Sequence, residues 1–142
     1  MNTRRLNEVL IGLLTLGKAV ELGRQLVLTT DKNFAGKVAG KLKVKPESLQ
    51  KWGPGYVAFD AVISVMGVLA MLQGMRKNRK GAGQAALVQG GAVTAYSLFY
   101  LVYSVLGLKE ASTGQKLINV VASLAHTYSG IKIIRFARKA LD

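Results

Sequence analysis

Two ionisable side chains lie in stretches of this 142-residue chain that are otherwise nearly free of charge: Asp60 within Tyr56–Met75 and His126 within Leu117–Ile134. An ionisable group inside a long apolar run is expensive to keep there and marks a site by default. Asp60 lies about one helical turn in from Tyr56, where it can relay a proton or cation, or serve as a structural charge answered by a flanking lysine. If the last apolar run is antiparallel to the first, Asn119 reaches the same depth and is a candidate hydrogen-bond partner. His126 has the chemistry to carry a proton or to ligate a haem-like group. It is the only histidine and the chain has no cysteine, so two histidines of this chain cannot share one metal, and the scattered carboxylates form no recognisable ligand set. The bland alternative is a His126 hydrogen-bonded across helices to a Ser, Thr or Tyr.

A third group is Lys18, Glu21 and Arg24, which share one side of a helix with Asn7, Gln25 and Thr29, opposite Val9, Leu13, Leu16 and Val20. Lys18–Glu21 and Glu21–Arg24 are three residues apart and can pair. Hydrolytic chemistry is not expected, because a nucleophile and base around His126 would have no acid at their depth. Gly36-Lys37 and Gly40-Lys41 lack the pattern of a phosphate-cradling loop. The chain reads as a non-enzyme without a cofactor or metal, with His126 the one candidate if a cofactor is bound.

The elements that must position these groups are legible from length. Tyr56–Met75, Ala85–Leu108 and Leu117–Ile134 each approach the roughly 20 residues that carry a helix across a hydrocarbon core. They contain only Asp60, no charge and Lys132 respectively. The fold expected is an all-α integral membrane protein, one domain spanning 1–142. It is an antiparallel bundle of about four transmembrane helices near 6–29, 56–75, 85–108 and 117–136, the first amphipathic and joined to the second by a basic connection, 31–55. Helix 6–29 either spans with its polar stripe turned to protein or lies in the interface, apolar face down. Pro46-Glu-Ser can open a short helix in the connection, and Gly53-Pro54-Gly55 is expected to end it. The basic start at Arg4 and Arg5 resembles the beginning of a signal peptide, but no Ala-x-Ala-like cleavage site follows, so this segment is read as structure compatible with uncleaved mitochondrial import.

Small and hydroxyl residues recur at helical spacing: Asp60, Ser64, Gly67, Met71 and Gly74; Ala86, Gly90, Thr94 and Ser97; Asn119, Ser123, His126 and Gly130. Such seams let helices approach closely in lipid, where no hydrophobic force drives them together. Asp60, Ser64, Asn119, Ser123, His126, Lys18, Glu21 and Arg24 are therefore candidates for helix contacts or for a polar path.

Twenty Lys and Arg against seven Asp and Glu give a net charge of +13. Because the basic residues lie mostly between and after the apolar runs, they point to membrane flanks and not to nucleic acid. Lys37, Lys41, Lys43 and Lys45 on one connection, and Arg76, Lys77, Arg79 and Lys80 in the turn between the second and third spans, are candidate ligands for anionic headgroups. The positive-inside rule places the 76–80 turn and both termini on the inner side, with the lysine-rich 31–55 connection as the misfit. The function expected is that of an accessory or scaffold subunit of a larger membrane complex, with other membrane subunits and anionic lipids as partners, and with an energy-transducing membrane such as the mitochondrial inner membrane as its setting. A small transporter or channel is the alternative, and a membrane-remodelling or lipid-binding protein a third.

Overall fold

The computed structural model describes residues 3–107 and 112–142. The helices are α1 (Thr3–Thr30), α2 (Lys32–Leu42), α3 (Pro46–Met75), α4 (Arg79–Val102, continued by a π-helical turn at Tyr103–Gly107) and α5 (Thr113–Leu141), with no strand among the described residues. Three helical stretches, Pro46–Met75, Arg79–Leu106 and Thr113–Leu141, are long and apolar enough to cross a membrane.

Residue pairs across the interfaces give the topology. A side chain at Gly53 of α3 would meet Thr29 of α1, and one at Gly67 would meet Thr15, so α1 and α3 are antiparallel. Tyr56 packs edge-on against Phe99 and Tyr103, so α3 and α4 are antiparallel as well. Along α4 and α5, Gly83 faces Ala137, Gly90 faces Gly130 and Ser97 bonds to Thr127. α1 and α5 barely meet, so the four long helices form an arc with a cleft between its ends.

The connection between α1 and α3 is more ordered than its composition predicts. Asp31 caps α2, its carboxylate accepting the Asn33 and Phe34 amides at 2.8 and 3.1 Å. Lys43, left-handed at φ 53°, closes the helix, and Val44 N–H donates to the Ala39 carbonyl at 3.0 Å. Pro46 then occupies the first turn of α3, where its missing N–H costs nothing.

The expected break at Gly53-Pro54-Gly55 does not occur: α3 runs through Pro54 for 30 residues. Packing explains this. Gly53 lies against Thr29 and Gly55 against the Phe99 ring, closely enough that neither site has room for a Cβ. Trp52 adds edge-on contacts to Phe99 and Tyr103 at 5.5 and 5.6 Å. The two glycines bring neighbouring helices against the Pro54 turn, and these contacts hold the helix together where local propensity would end it. The basic turn is likewise shorter than expected, since the Asn78 side chain accepts the Gly81 amide at 3.0 Å and starts α4 at Arg79. Within α3 the small-residue seam is buried at Asp60, Ser64 and Gly67 but reaches the surface at Met71 and Gly74.

The packing is inverted relative to a water-soluble bundle. Asn7, Thr15, Lys18, Gln25, Asp60, Gln89, Ser97 and Asn119 are buried, while Val9, Leu13, Leu16 and Val20 of α1 are 49–67 % exposed and α5 exposes Leu117, Ile118, Val121 and Leu124. α1 thus turns its polar stripe to protein. Toward the basic turn the core is built from small side chains (Ala70, Ala85, Ala86, Ala137) with Ile11 and Ile133; toward α2 it is built around Tyr56, Tyr96 and Tyr103. Alanine and glycine allow close helix contact at one end, and aromatic rings fill a wider space at the other.

Candidate functional site

At mid-height of the bundle Lys18 and Asp60 form a buried ion pair, Nζ to Oδ1 at 3.1 Å, with side chains 6 % and 1 % exposed. Lys18 Nζ also sits 3.3 Å from the centre of the Tyr96 ring, so an aromatic face supplies further stabilisation of the ammonium. The Tyr96 ring lies 5.2 Å from that of His126 and stacks on Tyr100 at 5.9 Å. Four helices therefore meet in one layer, α1 through Lys18, α3 through Asp60, α4 through Tyr96 and α5 through His126.

His126 Nδ1 is 2.7 Å from the Ala122 carbonyl one turn back. A carbonyl only accepts, so Nδ1 carries the hydrogen; in the neutral form of the ring Nε2 is then left as a bare lone pair. The bond stays within α5, unlike the cross-helix hydroxyl partner expected from the sequence. Asn119 is buried, but it does not answer Asp60; its Oδ1 accepts from Tyr100 Oη at 2.8 Å and from Gln115 Nε2 at 3.1 Å. Glu21 and Arg24 pair with each other at 2.8 Å and are half exposed, whereas Lys18 turns inward to α3. Ser64 and Ser123 are buried, and the Ser123 carbonyl accepts Thr127 Oγ1 at 2.9 Å.

A cavity of about 550 Å³ opens below this layer on the α2 side, bounded by α1, α2, the start of α3, the end of α4 and the start of α5. Lys18, Glu21, Arg24, Asn119 and His126 all line it, so five of the eight residues singled out for a polar path converge on one space. Asp60, Ser64 and Ser123 do not line it, and Asp60 acts there only through Lys18. Its charged groups are internally matched, Lys18 by Asp60 and Arg24 by Glu21.

A second polar knot has little signal in the sequence. Gln89, fully buried in α4, donates from Nε2 to Thr15 Oγ1 at 3.0 Å and to the Ile63 carbonyl at 3.2 Å, tying α1, α3 and α4 together over Gly67. The one clue is that Gln89 is an amide in the middle of an uncharged apolar run. The headgroup candidates are all exposed, and they occupy opposite ends of the bundle: Lys37, Lys41, Lys43 and Lys45 on and beside α2, Arg76, Lys77, Arg79 and Lys80 at the α3–α4 turn. No cluster of three or more metal-ligating His, Asp or Glu side chains lies among the described residues. Comparison with protein-family models, curated proteins and solved structures returned no match.

Proposed function

We propose that the chain is an integral membrane protein whose four long helices, α1 included, span the bilayer, and that it works without catalysis as an accessory subunit of a larger membrane assembly. The charges of α1 give no argument for a partner, since Lys18 and Glu21 are paired within the chain. The observation that supports a partner is the outer face of α4. Gln84, Val88, Gly91, Ala95 and Leu98 form one exposed helical stripe, and a Cβ on Gly91 would meet nothing within 4 Å. Small residues four apart on an outward face of a membrane helix allow a second helix to approach closely. The basic, cysteine-free composition suits an energy-transducing membrane such as the mitochondrial inner one.

A photo-crosslinking residue at Ala95, activated in the native membrane, tests this reading. A discrete protein adduct that disappears in Gly91→Leu supports it. Lipid adducts only, from a chain that purifies as a monomer in mild detergent, refute it. The second reading, a small transporter, draws on the cavity, which lies to one side of the mid-bundle ion pair. It predicts flux in reconstituted vesicles that is lost in Asp60→Asn, and absence of flux under every gradient removes it.

A further inference from the structure

The cavity bounded by α1 and α5 combines features that the helix-docking face does not use. Its volume, about 550 Å³, falls within the range of small-molecule sites, roughly 300–1,000 Å³. One part of its wall is aromatic, with Trp52, Tyr56 and Tyr100; another is aliphatic, with Leu28 and Leu42. The polar groups run along the wall, His126 at the mid-bundle layer and Asn119 and Gln115 successively nearer the start of α5. In its neutral form His126 offers Nε2 as an acceptor, and the Tyr100–Asn119–Gln115 network can exchange a hydrogen bond with a guest. The charges of the wall are already paired, so a charged guest would find no unmatched counter-ion there. Leu13 and Gly17 belong both to the cavity wall and to the exposed outer face of α1, so the mouth opens sideways, toward the side of the bundle that meets lipid.

We propose that this cleft binds a neutral amphipathic molecule, a flat hydrogen-bonding ring carrying an apolar tail, taken up from the bilayer through the gap between α1 and α5. The ring lies among the aromatic side chains, with its polar atoms at His126 and the Asn119 network, and the tail leaves past Leu13 and Gly17. A haem-like group is the competing guest at His126. Its acidic substituents would need free cations, and both cationic side chains of the wall are engaged by carboxylates. The proposal rests on the membrane placement of the bundle, which resistance to alkaline extraction tests separately.

The chain carries its own reporter, because Trp52 is the only tryptophan and lines the cavity. A short-tailed benzoquinone, a ring that quenches indole emission, is titrated into the full chain in nanodiscs. Saturable quenching is expected, displaced by excess of a ring-bearing analogue that does not quench and not by an alcohol of the same tail length. Gly17→Leu fills the mouth without a clash, since a Cβ there meets nothing within 4 Å. It should weaken binding at least tenfold with an unchanged melting temperature. Gly74→Leu, equally open and remote from the cavity, should leave binding as it was. Linear, unsaturable quenching that is the same in all three proteins overturns the proposal. So does a haem absorption band in the purified chain, and so does displacement by the alcohol.

Discussion

Replacing Lys18 with methionine keeps an unbranched side chain of similar reach and removes the charge that faces Asp60. At 3.1 Å, and with an effective dielectric constant near 20, the attraction is about 5 kcal/mol. The cost of taking both groups out of water offsets much of this, so the net worth of the pair is far smaller. What the single substitution exposes is the asymmetry: Asp60, 1 % exposed, is left as an uncompensated buried charge, and the expected loss is about 3–5 kcal/mol. Asp60→Leu strands Lys18 in the same way, though the Tyr96 ring 3.3 Å from Nζ retains part of the stabilisation, on the order of 2 kcal/mol. Asp60→Leu should therefore cost less than Lys18→Met. The double variant removes both charges and should recover most of the loss, giving a coupling of at least 2 kcal/mol. Reversible unfolding by an anionic detergent titrated into mixed micelles measures all four proteins. Additive single-variant losses would refute the reasoning that the pair is a closed electrostatic unit.

Three further outcomes follow from the packing. Gly90→Val pushes a Cβ into the Gly130 carbonyl, 2.9 Å away; because the obstacle is backbone, the loss should reach the upper end of overpacking costs, about 3 kcal/mol, measured by the same unfolding titration. Gln89→Leu leaves the Thr15 hydroxyl and Ile63 carbonyl without their donor and should cost about 1–3 kcal/mol, whereas Gln84→Leu on the exposed side of α4 should cost almost nothing. Changing Lys37, Lys41, Lys43 and Lys45 together to Gln should weaken binding of anionic lipid to the protein in mixed-lipid nanodiscs by up to about 1 kcal/mol per residue. That difference should vanish at high salt, and equal binding by both proteins at low salt would contradict the headgroup role.

The three long apolar helices were legible because nothing but a helix buries runs of that length, and the inward polar stripe of α1 was legible in its periodicity. The start of α3 was not. Gly-Pro-Gly reads as a break by every local rule, and only Thr29 and Phe99, distant in sequence, show that its small residues serve close contact. The Lys18–Asp60 pair was half legible. Asp60 stood out as an ionisable group in an apolar run and Lys18 as a member of a polar stripe, but choosing Lys18 over Asn119 requires knowing that α1 lies against α3 at that height. The Gln89 knot and the cavity depend on three or more elements meeting, and no spacing within one helix encodes that. α2 was obscured by its lysines, which suit a solvated loop as well as a helix resting on Ala35 and Ala39.

The position of the ion pair along the chain also bears on how the protein is made. Lys18 leaves the ribosome well before Asp60, some forty residues later. A lone charge at the centre of an inserting helix costs about 2.5–3.5 kcal/mol in the translocation machinery. In the proposed bilayer setting α1, although synthesised before α3, is a poor candidate to enter before it. On that cost α1 would wait at the surface or in the insertion channel until α3 supplies the carboxylate, and the two would then enter as a hairpin. The pair would thereby set the timing of biogenesis, and a chain truncated before Asp60 should leave α1 outside the hydrocarbon.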